Sequence, residues 1–168
     1  MTSLRFPVAV LMQRTPLANR WVSERWEPVS VEVVPADAGE PTPRCIADDA
    51  GGTQWRFADQ VVELHRSEAE GYYLNLSAPD PKVFVMWRMA DDGDVPAARP
   101  WIVTVSYNQA ARMLDGGEQV DAVPMPAEIR ALLEPYVAEH YRPEPRRKVK
   151  RNDPFANGAS ARPRGRRD

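Results

Sequence analysis

The sequence predicts an α+β domain: a mainly antiparallel, curved or barrel-like sheet of about seven strands, packed by two C-terminal helices. Three observations predict it. Apolar residues recur at period two in short runs between Phe6 and Val105. The runs are joined by short turn-forming stretches, which suit antiparallel neighbours because a parallel crossover needs a dozen or more residues. The period then lengthens to that of helices, and from about Arg142 it vanishes.

Phe6, Val8, Val10 and Met12 fall on one side of a first strand, and Val29, Val31 and Val33 on one side of a second. Trp55 and Phe57 mark the third, Val62 and Leu64 the fourth, and Tyr72, Leu74 and Leu76 in "GYYLNL" the fifth. Val83, Val85, Trp87 and Met89 line one face of the sixth, with Phe84 and Met86 on the other, so this strand reads as central and covered on both sides. Trp101, Val103 and Val105 mark the seventh, and Trp55, Trp87 and Trp101 are expected in the core. The joints "DDAGG", "RSEAEG", "SAPDP" and "ADDGDVPAARP" carry turn chemistry, and "AGEPTPRCIADDAGG" reads as a loop.

Ser106-Tyr107-Asn108-Gln109 has the form of a capping box, followed at helical spacing by Ala110, Ala111 and Leu114. Gly116 and Gly117 supply the stop, because glycine enters the left-handed region without a Cβ penalty. "EQVDAVPMP" crosses over to a second helix that begins near Pro126. Ile129, Leu132, Leu133, Tyr136, Val137 and His140 form its buried stripe, and Pro135 inside it removes the donor that Ala131 would otherwise receive.

The folded domain is expected over residues 1–141, with a disordered basic tail over 142–168. The net charge of −2 conceals this division. The tail has ten Arg or Lys against three Asp or Glu, and the preceding residues have 12 against 21. A run of about 20 apolar residues is absent, so no membrane span is expected, and "MTSLRFPVAVLMQR" reads as an opening strand and not as a signal peptide. The single cysteine, Cys45, fits a reduced, cytoplasmic setting and excludes multi-cysteine metal patterns.

Catalytic signatures are missing: no G-x-G-x-x-G, no Walker loop, no G-x-S-x-G. Glu63 and His65 share a strand face, which allows a carboxylate–imidazole pair and an enzyme built around it, but an exposed surface pair is the favoured reading. His140 reads as a core or interface histidine. Asp48–Asp49 and Asp91–Asp94 lack the ligand spacing of a calcium loop and read as solvated turns. No catalytic residue, metal or cofactor is therefore expected.

Binding chemistry is better represented. Arg20 precedes Trp21 and Arg25 precedes Trp26, a composition found in interface anchors and also in arginines stacked on an indole within one protein. In the tail, Arg146, Arg147, Lys148, Lys150, Arg151 and Phe155 suit docking on an acidic protein, or contact with nucleic-acid phosphates. The acidic body disfavours the second, because it repels a duplex. Arg20, Trp21 and Arg25, with those six tail residues, are the expected partner-binding set.

The stretches "PVAVLMQRTPLANRWVSERWEPVSV", "VELHRSEAEGYYLNL", "VTVSYNQAARMLDGGEQVDAVPMP" and "EPRRKVKRNDPF" resemble a small bacterial family of unknown function. Its members are typically encoded beside molybdenum-dependent formate dehydrogenases. The resemblance implies a non-enzymatic accessory protein that binds such a dehydrogenase or its maturation factors. It lends no catalytic residues.

Overall fold

The structure is a computed structural model that describes residues 3–145. Its elements are β1 (Leu4–Pro16), β2 (Glu24–Val33), β3 (Arg44–Asp49), β4 (Gly52–Leu64), α1 (Ala69–Leu76), β5 (Lys82–Met89), β6 (Ala98–Thr104), α2 (Tyr107–Asp115), β7 (Gln119–Pro124) and α3 (Ala127–His140). Every strand pairing is antiparallel. The α+β class holds with seven strands, divided between two open sheets of order β2-β1-β4-β3 and β6-β5-β7. The sheets meet edge to edge, with β4 beside β6 and β2 beside β7. One core fills the space between them: Val8, Val10, Met12, Leu64, Val83, Val85, Ile129 and Leu133 are among its residues. Strand β5 is central in its sheet, as its two apolar faces predict.

Three β-bulges set which side chains face this core. Each inserts one residue and so reverses the inside–outside alternation beyond it. In β2, Met12 pairs with Pro28 and Leu11 with Ser30, so Val29 is the extra residue, and the inward set is Trp26, Pro28 and Val31. In β4 the register slips between Gln60 and Phe57, which lets Phe57 and Val62 both point inward along one strand where the sequence predicts two. In β6, Trp87 pairs with Pro100 and Met86 with Ile102, so Trp101 is the extra residue. The inward set becomes Ala98, Pro100, Val103 and Val105, and Trp101 is 61% exposed, contrary to its expected core position. Trp87 is buried as expected, and Trp55 is partly buried against the core.

"GYYLNL" is not a strand. Ala69, Tyr72 and Asn75 are its inward positions, three residues apart, while Tyr73 and Leu74 are exposed. The helix is held by a buried amide: Asn75 Nδ2 donates to Lys82 O at 2.7 Å and Val105 O at 2.8 Å, and Asn75 Oδ1 accepts the Lys82 N–H at 2.9 Å. The expected hairpin loop before it is a 3-10 turn, Arg66–Glu68. Two stretches read as connections form edge strands, β3 around Cys45 and β7 in "EQVDAVPMP".

The two C-terminal helices match their signals. Ser106 Oγ accepts the Gln109 N–H at 3.1 Å, half of the predicted box. The Gln109 side chain turns away to accept from Thr104 Oγ1 at 2.7 Å, and Thr104 Oγ1 also accepts the Ser106 N–H. Gly117 takes the left-handed φ of +85° that ends α2. In α3, Ile129, Leu133, Tyr136 and Val137 are buried, with Pro135 on the outer side.

Candidate protein-recognition surfaces

The tip of the β1–β2 hairpin holds the first candidate surface. Leu17 N–H donates to Ser23 O at 2.9 Å, closing a loop over residues 17–23. Within it the Asn19 side chain accepts the Trp21 N–H at 2.9 Å, an Asx turn that fixes the backbone beneath the indole. Trp21 is 86% exposed, and Leu17 and Val22 beside it are exposed too. Trp26, five residues on, is 7% exposed and part of the core. Its Nε1 donates to Glu24 at 3.2 Å, and Glu24 also pairs with Arg14 at 3.0 Å. The base of the hairpin is thus braced and its tip presents apolar surface to water. Arg20 is exposed and makes no ion pair among the described residues. Arg25 is engaged with Glu27 at 2.7 Å. Neither arginine stacks on Trp21; among the described residues the arginine–indole contact is Arg88 over Trp101, 5.0 Å from the ring centroid.

That second pair marks the other candidate surface, an open groove along the seam between β4 and β6. Two adjoining hollows of about 390 Å³ each make it up, sharing Asp59, Gln60 and Trp101. One end carries Glu63, His65 and Gln109; the other carries Thr42, Pro43, Arg99 and Pro100. The register shows what the β4 backbone does here. Val34 N–H donates to Pro7 O, so the polar groups of Pro7 face β2. Val61, directly opposite Pro7, therefore directs its N–H and C=O away from β1 and into the seam. Glu63 and His65 follow with the same parity. The His65 N–H confirms it, because it leaves the sheet to reach the Tyr72 hydroxyl at 2.9 Å. Among the described residues, the N–H and C=O groups of Val61 and Glu63 thus form an unpaired sheet edge within the groove.

The ionisable groups in the groove are loosely arranged. His65 Nε2 and Glu63 Oε1 are 4.0 Å apart, beyond hydrogen-bond reach, and both side chains are substantially exposed. Glu63 is also 4.0 Å from Arg5. Burial pushes the Tyr72 phenol up to about 12, and the Tyr136 phenol is raised for the same reason. His140 packs on Tyr136 at 4.4 Å, an aromatic contact at the end of the α3 stripe. Outside the groove, Glu40 is clamped by Arg56 at 2.6 Å and Arg44 at 2.8 Å, and the Arg56 bond holds its carboxyl below the usual range. No cluster of three or more His, Cys, Asp or Glu residues suited to a metal occurs among the described residues, and no described helix is long and apolar enough to cross a membrane.

Of the nine sequence-predicted binding residues, the structure brings Arg20, Trp21 and Arg25 to one hairpin end. Arg146, Arg147, Lys148, Lys150, Arg151 and Phe155 lie outside the described residues. Sequence reasoning missed Trp101 and the unpaired β4 edge. Pro100 before Trp101 was the available signal, since proline within a strand marks an edge or a bulge.

Residues 7–150 match the family described as "Protein of unknown function (DUF3305)". No curated protein and no solved structure matches the chain.

Proposed function

The chain belongs to the DUF3305 family of unknown function, and from that premise we propose that it is a non-enzymatic accessory protein that acts by binding a larger protein. The observation that carries this reading is the exposure of Trp21 on a loop whose backbone is fixed by Asn19. A large indole held in water has no role in this chain's own core. Buried in a partner's pocket, it excludes water and supplies a preorganised anchor. Arg20 beside it, Arg25 at the hairpin base, and the tail residues Arg146, Arg147, Lys148, Lys150, Arg151 and Phe155 steer the surface toward an acidic partner. By resemblance, the partner is a molybdenum-dependent formate dehydrogenase or one of its maturation factors.

Affinity purification of the tagged chain from cells expressing such a dehydrogenase tests the reading. Recovery of a dehydrogenase subunit or maturation factor supports it. Gentle purification that recovers neither, with expression of both confirmed, overturns the partner assignment. Polyanion binding with a steep salt slope, lost on removing the tail charges, would favour a nucleic-acid module instead.

A further inference from the structure

We infer that β3 is a self-pairing edge: in solution two copies of the chain join β3 to β3 in antiparallel register about a two-fold axis, making one continuous sheet.

The outer strands β2 and β7 lie beside each other, and β6 lies beside β4. Among the described residues β3 pairs only with β4, so its far side is left without a strand. The register shows which backbone groups that side presents. Pro7 turns its polar groups to β2, so Val10, Met12 and Arg14 turn theirs to β4. Their partners Phe57, Trp55 and Thr53 answer them, and the intervening Arg56, Gln54 and Gly52 face β3. Arg44, Ala47 and Asp49 meet those three, which leaves Cys45 and Asp48 with N–H and C=O groups directed outward. Every residue of β3 except Ala47 is exposed.

Charge and symmetry select a second copy as the occupant. Turned about a two-fold axis, this edge is its own complement. Cys45 exchanges N–H···O bonds with the partner's Asp48, and Asp48 does the same with the partner's Cys45. That register sets Arg44 opposite the partner's Asp49, and Asp49 opposite the partner's Arg44. Arg44 and Asp49 stand across from Arg56 and Gly52, which lie on one face of β4, so the opposed charges share a face of the joined sheet. Both groups keep bonding capacity. Arg44 gives one nitrogen to Glu40 at 2.8 Å, and Asp49 Oδ1 accepts the Gly51 N–H at 2.8 Å, leaving its second oxygen. Ile46, the extra residue of the β3 bulge, is 44% exposed and comes to the axis beside the partner's Ala47, where pairing covers it. The bulge faces its own copy, so it does not interrupt the match.

Six residues per copy make a small interface, so the association is reversible and concentration-dependent. Gly52 lies against the Arg14 carbonyl, which puts the β3–β4 turn and the Trp21 hairpin at one end of the sheet. The antiparallel dimer therefore points its two Trp21 tips to opposite ends. The pairing itself does not rest on the Trp21 reading.

Sedimentation equilibrium of the full chain under reducing conditions, at up to about 1 mM, tests the proposal. A monomer–dimer equilibrium is expected. Arg44→Glu and Asp49→Lys are each expected to weaken it at least about tenfold by setting like charges opposite each other. An equimolar mixture of the two variants, each shown folded by circular dichroism, is expected to restore it, because every facing pair is then of opposite charge. Asp48→Cys supplies a second reading that leaves the charge pairs in place. Residues paired in this way have Cα atoms about 5.5 Å apart, within disulfide reach, so mild oxidation is expected to link it to Cys45 of the partner subunit. A chain that stays monomeric throughout overturns the proposal. A dimer that both charge reversals leave intact, or that their mixture fails to re-form, overturns it as well.

Discussion

The Tyr72 hydroxyl accepts the backbone N–H of His65 at 2.9 Å, tying the end of β4 to the first turns of α1. Burial raises this phenol to about 12, whereas in the unfolded chain it ionises near 10. Between those values the unfolded state binds fewer protons, so stability falls as pH rises from about 10 to 12, by up to about 1.4 kcal/mol per pH unit. Tyr72→Phe removes that alkaline limb and leaves the His65 N–H to water, a loss of about 1 kcal/mol at neutral pH. Urea titrations at pH 7 and across the alkaline range check both effects.

Gly71 sits against Ser106. A Cβ on Gly71 would run into Ser106 Oγ, which donates to Glu68 at 2.6 Å while it caps α2. Glu68 also holds Arg112. Gly71→Ala is expected to lower stability by about 1–3 kcal/mol through overpacking and loss of the cap, read as a reduced urea midpoint with an unchanged slope.

Asn75 satisfies three backbone groups from within the fold. Asn75→Ala orphans the Lys82 N–H and the Lys82 and Val105 carbonyls. About 1–3 kcal/mol is expected for each group that stays buried without a partner. Loss of exchange protection at Lys82, before global unfolding, checks the assignment.

The alternation of β1, the central place of β5, the Ser106 cap, the Gly117 stop and the α3 stripe were all legible, because each rests on a periodicity or local chemistry that the tertiary fold did not override. The misplaced faces of β2 and β6 share one cause. A bulge shifts parity by one residue; Pro28 before Val29 and Pro100 before Trp101 mark an irregularity, but the register itself is set by the strand opposite. α1 was misread because Tyr72, Leu74 and Leu76 mimic period two over a very short run. Ser67-Glu68-Ala69-Glu70 has the S-x-x-E form of a helix start, although no side-chain cap forms at Glu68. Of the binding surfaces, the Arg–Trp composition pointed to Trp21. The β4 edge was hidden, since an unpaired edge is a property of sheet order.

Trp21 and Trp26 are expected to respond oppositely to truncation. Trp26→Ala opens a core cavity and loses about 3–5 kcal/mol. Trp21→Ala removes only solvated surface and stays within about 0.5 kcal/mol of the parent chain. Thermal melts of the two variants side by side check this.

Recognition through the exposed hairpin tip is tested most directly by measuring how much dehydrogenase subunit or maturation factor the full chain captures, compared with its Trp21→Ala variant at matched stability. At least a tenfold fall in capture by Trp21→Ala is the predicted result. Equal capture by both proteins would show that the indole anchors nothing and would contradict the account.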